Sequence, residues 1–138
     1  MVTRENIKCD LAIVGGGLAG GLIALALAKM RPELKIVLIE QGDSFGGNHI
    51  WSFFASDILP EHRWLTAPLV TYGWSGYDVK FPGHSRTLDN IYYTIESERL
   101  DWVLRKSQLA KAQMPRAATA IKEFECISVR VEFRLISS

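Results

Sequence analysis

The stretch D-L-A-I-V-G-G-G-L-A-G, from Asp10 to Gly20, decides the fold. Leu11 to Val14 form an all-apolar run of the kind a parallel strand buried on both faces presents. Leu18 to Met30 then read as a helix carrying Leu22, Leu25 and Ala26. Arg31-Pro32 ends it, because proline cannot continue a helix and disfavours helical geometry at the residue before it. A second buried strand follows at Lys35 to Glu40, K-I-V-L-I-E. Strand, helix and strand thus fit into about 30 residues, the size of a right-handed βαβ unit. Residues 11–28 carry no charge over 18 positions, the minimum for a membrane helix, but glycines at 15, 16, 17, 20 and 21 break the run. Strand, turn and helix account for it better.

Between the first strand and the helix, Gly15, Gly17 and Gly20 stand in G-x-G-x-x-G spacing, the context in which that pattern binds a dinucleotide. Gly15 permits the tight turn, Gly17 lacks a Cβ that would hold a pyrophosphate away, and Gly20 lets helix and strand pack closely. Gly16, Leu18 and Ala19 complete the turn, where the helix N-terminus offers unpaired N–H groups to phosphates. A flexible glycine loop between core elements is the competing reading. Glu40 weighs against it: it lies 20 residues beyond Gly20, at the carboxyl end of the second strand, where an acid accepts hydrogen bonds from ribose hydroxyls. A carboxylate there repels a 2′-phosphate, so NADP is disfavoured in this pocket. Gly46-Gly47 shortly afterwards let the chain approach an extended cofactor again, which favours FAD over NAD, and Asn48 and His49 continue that contact.

After Gly47 the character changes. Residues 48–93 hold three of the four tryptophans and many turn residues. Leu69 to Trp74 and Tyr77 to Phe81 read as strands flanking Ser75-Gly76, and Ile91 to Ile95 as a third. Ser97 reads as a helix N-cap, with Glu98 and Asp101 in the first turn and Arg105-Lys106 near the end, as the macrodipole favours. Met114 to Thr119, around Pro115, break the pattern, and Ile127 to Leu135 alternate apolar and polar residues as a strand does.

Composition bounds the rest. Hydrophobic content of 48% and charged content of 22% are globular values, without the signature of disorder. A net charge of +1, with basic residues scattered, excludes the electrostatic footprint of a nucleic-acid binder. Cys9 and Cys126 form no metal-ligand or redox spacing, no metal site is expected, and without a secretory signal the expected setting is cytoplasmic. His62 and His84 read as loop histidines.

The block G-G-N-H-I-W-S-F, Gly46 to Phe53, resembles the signature of bacterial flavin-dependent lycopene β-cyclases. So do G-L-I-A-L-A-L from Gly21, A-P-L-V from Ala67, W-S-G-Y-D-V-K-F-P from Trp74 and Y-T-I-E-S-E-R-L from Tyr93. The resemblance spans residues 8–106 and extends to about Val131. It implies an α/β fold: a Rossmann-like FAD-binding βαβ unit over residues 1–50, a β-rich substrate-side segment over 51–96, and a helix and strand returning to the FAD domain over 97–138. It also implies cyclisation of the linear ends of lycopene, or a related carotenoid, to β-ionone rings without net redox change. Reduced FAD is required, with NADPH as reductant. His49 and Trp51 would lie near the isoalloxazine by analogy.

The acid that protonates the end group is not assignable, since helix capping explains Glu96 and Glu98. The family's acidic motif and its late glycine-aspartate segment have no counterpart here, so an amino-terminal fragment of an incomplete two-dinucleotide-motif flavoprotein fold is expected. Residues 130–138 fit the family poorly and read as a frameshifted or foreign end. A bilayer-dissolved substrate implies peripheral membrane contact; the sequence sets no oligomeric state. The competing functions are an inactive nucleotide-binding remnant and an FAD-dependent monooxygenase-like oxidoreductase, against which the N-H-x-W-S-F block argues.

Overall fold

A computed structural model describes residues 6–107 and 130–132. It is a mixed α/β structure. Strand β1 (Asn6–Lys8) is followed by β2 (Leu11–Val14), helix α1 (Leu18–Met30) and β3 (Ile36–Ile39). β2 and β3 are parallel, in register from Leu11 opposite Ile36 to Val14 opposite Ile39. The start of the pair is tied by Asp10, whose amide donates to the Lys35 carbonyl at 2.8 Å and whose carboxylate accepts from the Lys35 amide at 2.7 Å. The expected crossover is therefore present, with its helix boundaries as read: α1 ends where the Arg31 amide closes on the Leu27 carbonyl, just before Pro32.

One expectation needs correction. β3 is buried along its whole length, but in β2 Leu11 is 38% and Val14 57% exposed. Among the described residues β2 hydrogen-bonds to β3 alone, so its other edge has no neighbouring strand to cover the ends. Ala12 and Ile13 still pack, on opposite faces, into separate apolar clusters.

The aromatic segment forms β4 (Ile50–Phe54), short 3-10 turns at Ala55–Asp57 and Pro60–His62, helix α2 (Arg63–Thr66), a 3-10 turn at Ala67–Leu69, and then β5 (Tyr72–Trp74). The hairpin β6 (Tyr77–Phe81) and β7 (His84–Leu88) follows, then β8 (Tyr92–Glu96). β8 is the central strand of an antiparallel three-stranded sheet in the order β4-β8-β5. The strand expected over Leu69 to Trp74 begins only at Tyr72, because Pro68 holds Ala67–Leu69 in a 3-10 turn that buries Leu69 completely. Nor do the segments on either side of Ser75-Gly76 pair with each other. β5 joins β8, while β6 turns back through Pro82-Gly83, where Gly83 has φ +75° and suits the third position of a type II turn. β4 and β7 went unread: H-S-R-T-L is too polar to show a strand face, and β4 lies inside the motif block.

Helix α3 (Ser97–Lys106) starts one residue earlier than expected. Glu96 pairs with Ile50 and stays extended as the N-cap, so Ser97 is the first helical residue. Its amide donates to the His49 carbonyl at 3.0 Å, and its hydroxyl bonds Glu98 rather than capping the helix. Leu100 and Leu104 of α3 meet Ala24 of α1, Leu38 of β3, Phe45, Leu69 and Ile95 of β8 in one core drawn from all three segments of the chain. A Cβ at Gly21 would stand 3.0 Å from Leu100 Cδ1, so α1 and α3 approach closely at that glycine. Leu100→Ala is expected to lower unfolding free energy by about 2–5 kcal/mol, since the residue is fully buried and flanked by three elements that cannot all collapse; urea unfolding followed by circular dichroism checks it.

A last pair, β1 with β9 (Arg130–Glu132), is antiparallel, Asn6 opposite Glu132. The remainder of the expected tail strand and the Met114–Thr119 break lie outside the described residues. None of the described helices is long and apolar enough to cross a membrane.

Candidate functional site

The glycines between β2 and α1 do different jobs. Gly15 has φ +100°, a backbone region that side chains rarely adopt, and its amide donates to the Ile39 carbonyl at 2.8 Å. The turn is thereby sewn to the end of β3. Gly16 is buried: a Cβ there would stand 2.5 Å from Phe45 Cδ1 and 3.0 Å from Glu40 Cβ. A Cβ on Gly20 would enter the Gly15 carbonyl oxygen, so α1 rests directly on the turn. Gly17 is the contrast. It is the N-cap of α1, and a Cβ there would meet nothing within 4 Å.

That open side faces the N-terminus of a 13-residue helix. Gly17 supplies no capping side chain, and the first turn carries no acid. The amides there, at Leu18, Ala19 and Gly20, belong to the group an α-helix leaves without intrahelical partners, and the dipole favours an anion beside them. Ala19 is exposed and Leu18 half-buried, packed against the core. The turn therefore combines unpaired donors, positive potential and a clear approach, a combination suited to phosphate oxygens.

Glu40 sits at the end of β3, half-buried, and both its oxygens are held. Oε2 accepts from the Gly16 amide at 2.7 Å, Oε1 from the Gly42 amide at 2.9 Å. Each carboxylate oxygen keeps further lone-pair capacity for a hydroxyl donor. The carboxylate is fixed against the first glycine turn rather than left to solvent.

The second glycine pair closes on the first. The Gly46 amide donates to the Gly16 carbonyl at 2.8 Å, and Gly46 and Gly47 have φ +80° and +62°. A Cβ on Gly46 would meet Ser97 Cβ at 3.0 Å and Trp51 Cη2 at 3.1 Å, so this glycine also serves packing under the start of α3. Asn48 and His49 follow, both exposed, and the His49 ring stands 5.8 Å from that of Trp51. Gly15 to Gly20, Glu40 and Gly46-Gly47 are thus one junction, with Asn48 and His49 on its exposed continuation.

Two residues of this junction escaped the sequence reading as site residues. Asp101 Oδ1 accepts from the Phe45 amide at 2.8 Å, and its Oδ2 accepts from Arg105 Nε at 2.7 Å. The i,i+4 spacing of Asp101 and Arg105 was a signal for a helix-surface pair, not for a loop contact. Elsewhere, Glu96 is the α3 N-cap and Glu98 is exposed in its first turn, while His62 ends a 3-10 turn and His84 opens β7. Among the described residues no group of three or more side chains could hold a metal ion.

Comparisons with known proteins bear on the family of the chain. The family model described as lycopene cyclase protein matches residues 10–131. A lycopene beta-cyclase of Pseudescherichia vulneris is 50% identical over 99 residues, covering 71% of this chain and 25% of that protein. A lycopene beta-cyclase of Pantoea ananas is 42% identical over 124 residues, 89% of this chain and 31% of that protein. More distantly, a protein of Escherichia coli (strain K12) named "Probable electron transfer flavoprotein-quinone oxidoreductase" is 29% identical over 122 residues, 77% of this chain and 28% of its own. The chain thus spans a quarter to a third of the length of these relatives. No solved structure matches significantly. With nearly the whole chain covered by the one family model and two relatives at 42% identity or more, the chain belongs to the lycopene cyclase family.

Proposed function

We propose that this chain carries the ADP-binding part of a lycopene β-cyclase that works with reduced FAD. The single observation behind it is the junction of Gly16, Glu40 and Gly46 beside the uncapped N-terminus of α1. The residues present fit the group: the α1 amides would hold the pyrophosphate, Gly17 leaves it room, and Glu40 would accept from the ribose. The crossover β2-α1-β3 then acts as a Rossmann-like unit of a two-dinucleotide-motif flavoprotein. Residues 51–96 form the substrate side, and α3 and β9 return the chain to the cofactor unit. The similarity to an E. coli protein named for its flavoprotein partner is consistent with this lineage.

The reaction of the whole enzyme is cyclisation of the lycopene ends to β-ionone rings, giving β-carotene without net redox change. Held by the α1 amides and Glu40, reduced FAD would supply electron density to the site where the ring forms. Glu40 repels a 2′-phosphate, so NADPH serves as reductant from outside this pocket. A bilayer-dissolved substrate puts the enzyme in peripheral contact with the cytoplasmic membrane.

The test has two readouts on the expressed chain. Stoichiometric FAD retention on purification supports the cofactor assignment; apo protein that takes up no FAD overturns it. In lycopene-accumulating bacteria, formation of β-carotene supports cyclase activity in this chain by itself. Cells that stay red while the chain retains FAD leave it as a nucleotide-binding part only.

A further inference from the structure

The loop that carries the second glycine pair is held from a helix far along the chain. Asp101, on α3, lies 56 residues from Phe45, yet its Oδ1 accepts the Phe45 amide at 2.8 Å. Its Oδ2 takes Arg105 Nε at 2.7 Å, and Arg105 Nη2 reaches on to the Asp43 carbonyl at 2.9 Å. The guanidinium also stands over the Phe45 ring, 5.6 Å from its centroid. Two side chains one helical turn apart therefore grip both ends of Asp43–Phe45.

What they grip is not peripheral. The Phe45 ring is the surface against which Gly16 lacks room for a Cβ, and the next residue, Gly46, donates to the Gly16 carbonyl. The loop's other holds are the Gly42 amide on Glu40 and the buried Phe45 ring; Gly42 to Ser44 are exposed, and Gly46 and Gly47 have positive φ that an unheld chain visits only in part. Asp101 is only 21% exposed at its side chain, and hydrogen bonding to it raises the Arg105 pKa further, so Arg105 stays charged. A planar guanidinium is needed, because one flexible ammonium cannot address Asp101 and Asp43 in the same fixed fork.

We propose that Asp101 and Arg105 are positioning residues for the dinucleotide site, holding Gly46 on the Gly16 carbonyl through Phe45 so that the two glycine motifs are preset before the cofactor arrives. This rests on the FAD reading above. It assigns to the charged face of α3, beside its buried Leu100 and Leu104, a share in cofactor affinity.

Hydrogen exchange of the full chain, together with FAD titration, tests it in Asp101→Ala, Asp101→Asn and Arg105→Lys. In Asp101→Ala the amides of Phe45 and Gly46 should exchange about tenfold faster or more, the factor a lost charge-assisted hydrogen bond carries, while Ile36–Ile39 keep their protection. FAD affinity should fall by about the same factor. Asp101→Asn keeps an acceptor for the Phe45 amide and should recover most of both losses; Arg105→Lys should fall between. Unchanged exchange at Phe45 and Gly46 overturns the proposal, as does equal acceleration across Ile36–Ile39, which marks general destabilisation. A loop that opens in Asp101→Ala with FAD affinity unchanged overturns it too. Failure of the unsubstituted chain to bind FAD overturns the cofactor reading and this proposal together, whereas equal affinity in all four proteins overturns this proposal alone.

Discussion

Replacing Gly20 by alanine is expected to cost roughly 3 kcal/mol or more of folding stability, lowering the thermal midpoint by on the order of 10 °C. Alanine is the better helix former by about 1 kcal/mol, so propensity alone predicts the opposite sign. Sterics win because the new Cβ would enter the carbonyl oxygen of Gly15, a backbone atom that is itself held by the bond from the Gly15 amide to Ile39. Relief requires α1 to lift from the turn, which pulls Ala24 away from the core. Gly21→Ala is the control one residue on. Its Cβ would meet only the methyl ends of Leu100 and Leu104, at 3.0 and 3.2 Å, which can rotate aside. The loss at Gly21 should therefore be the smaller. Equal midpoints for Gly20→Ala and the unsubstituted chain would mean that α1 does not rest on the glycine turn.

Gly17→Asp should do the reverse: leave the fold as stable or slightly more so, and weaken FAD binding strongly. Gly17 has φ −72° and ψ −170°, an extended geometry open to any residue, and a Cβ there has free space. Aspartate at an N-cap accepts from the first-turn amides and complements the helix dipole, a gain of a few tenths of a kcal/mol over glycine. Those amides are the ones proposed for the pyrophosphate. The carboxylate would occupy them and repel the phosphates, weakening FAD by about a hundredfold or more, on the order of 3 kcal/mol. Calorimetric titration and thermal unfolding of the same variant separate the two effects. FAD binding at full strength in Gly17→Asp would place the cofactor somewhere other than the α1 N-terminus.

These two glycines also mark how far the sequence could be read. The spacing Gly15, Gly17, Gly20 announces a strand, a turn and a helix, and each end of α1 lies where the residues said it would. Pro32 and the positive φ of Gly15 act within a few residues, so they need no knowledge of the rest of the chain. The aromatic segment was harder to read. Tyr72–Trp74 and Tyr77–Phe81 have strand composition, but nothing local says that the first pairs with Tyr92–Thr94 and the second with His84–Leu88. Pairing is set by partners elsewhere in the chain: β5 lays Tyr72 opposite the buried Thr94 of β8, while β6 and β7 close on each other through the turn at Pro82-Gly83. The start of α3 is likewise set from a distance: the ladder with Ile50 ends at Glu96, which becomes the N-cap, so the helix begins one residue sooner than Ser97 as N-cap implies.

The sequence by itself determined the βαβ crossover, the acid at its second strand and the family block from Gly46 to Phe53. Period, turn sterics and spacing are properties of neighbours along the chain. Only the tertiary structure decided which glycine needs its missing Cβ for packing, as Gly16 does against Phe45, and which leaves space for something else, as Gly17 does. It also decided that Gly46 closes on Gly16 and that Asp101 holds the loop between. The bond from Glu40 to Gly16 spans 24 residues and that from Asp101 to Phe45 spans 56, distances at which side-chain type says nothing about partner. Such contacts exist because the core of Ala24, Leu38, Leu100 and Leu104 brings α1, β3 and α3 together first; the hydrogen bonds then form between groups that burial has already set side by side.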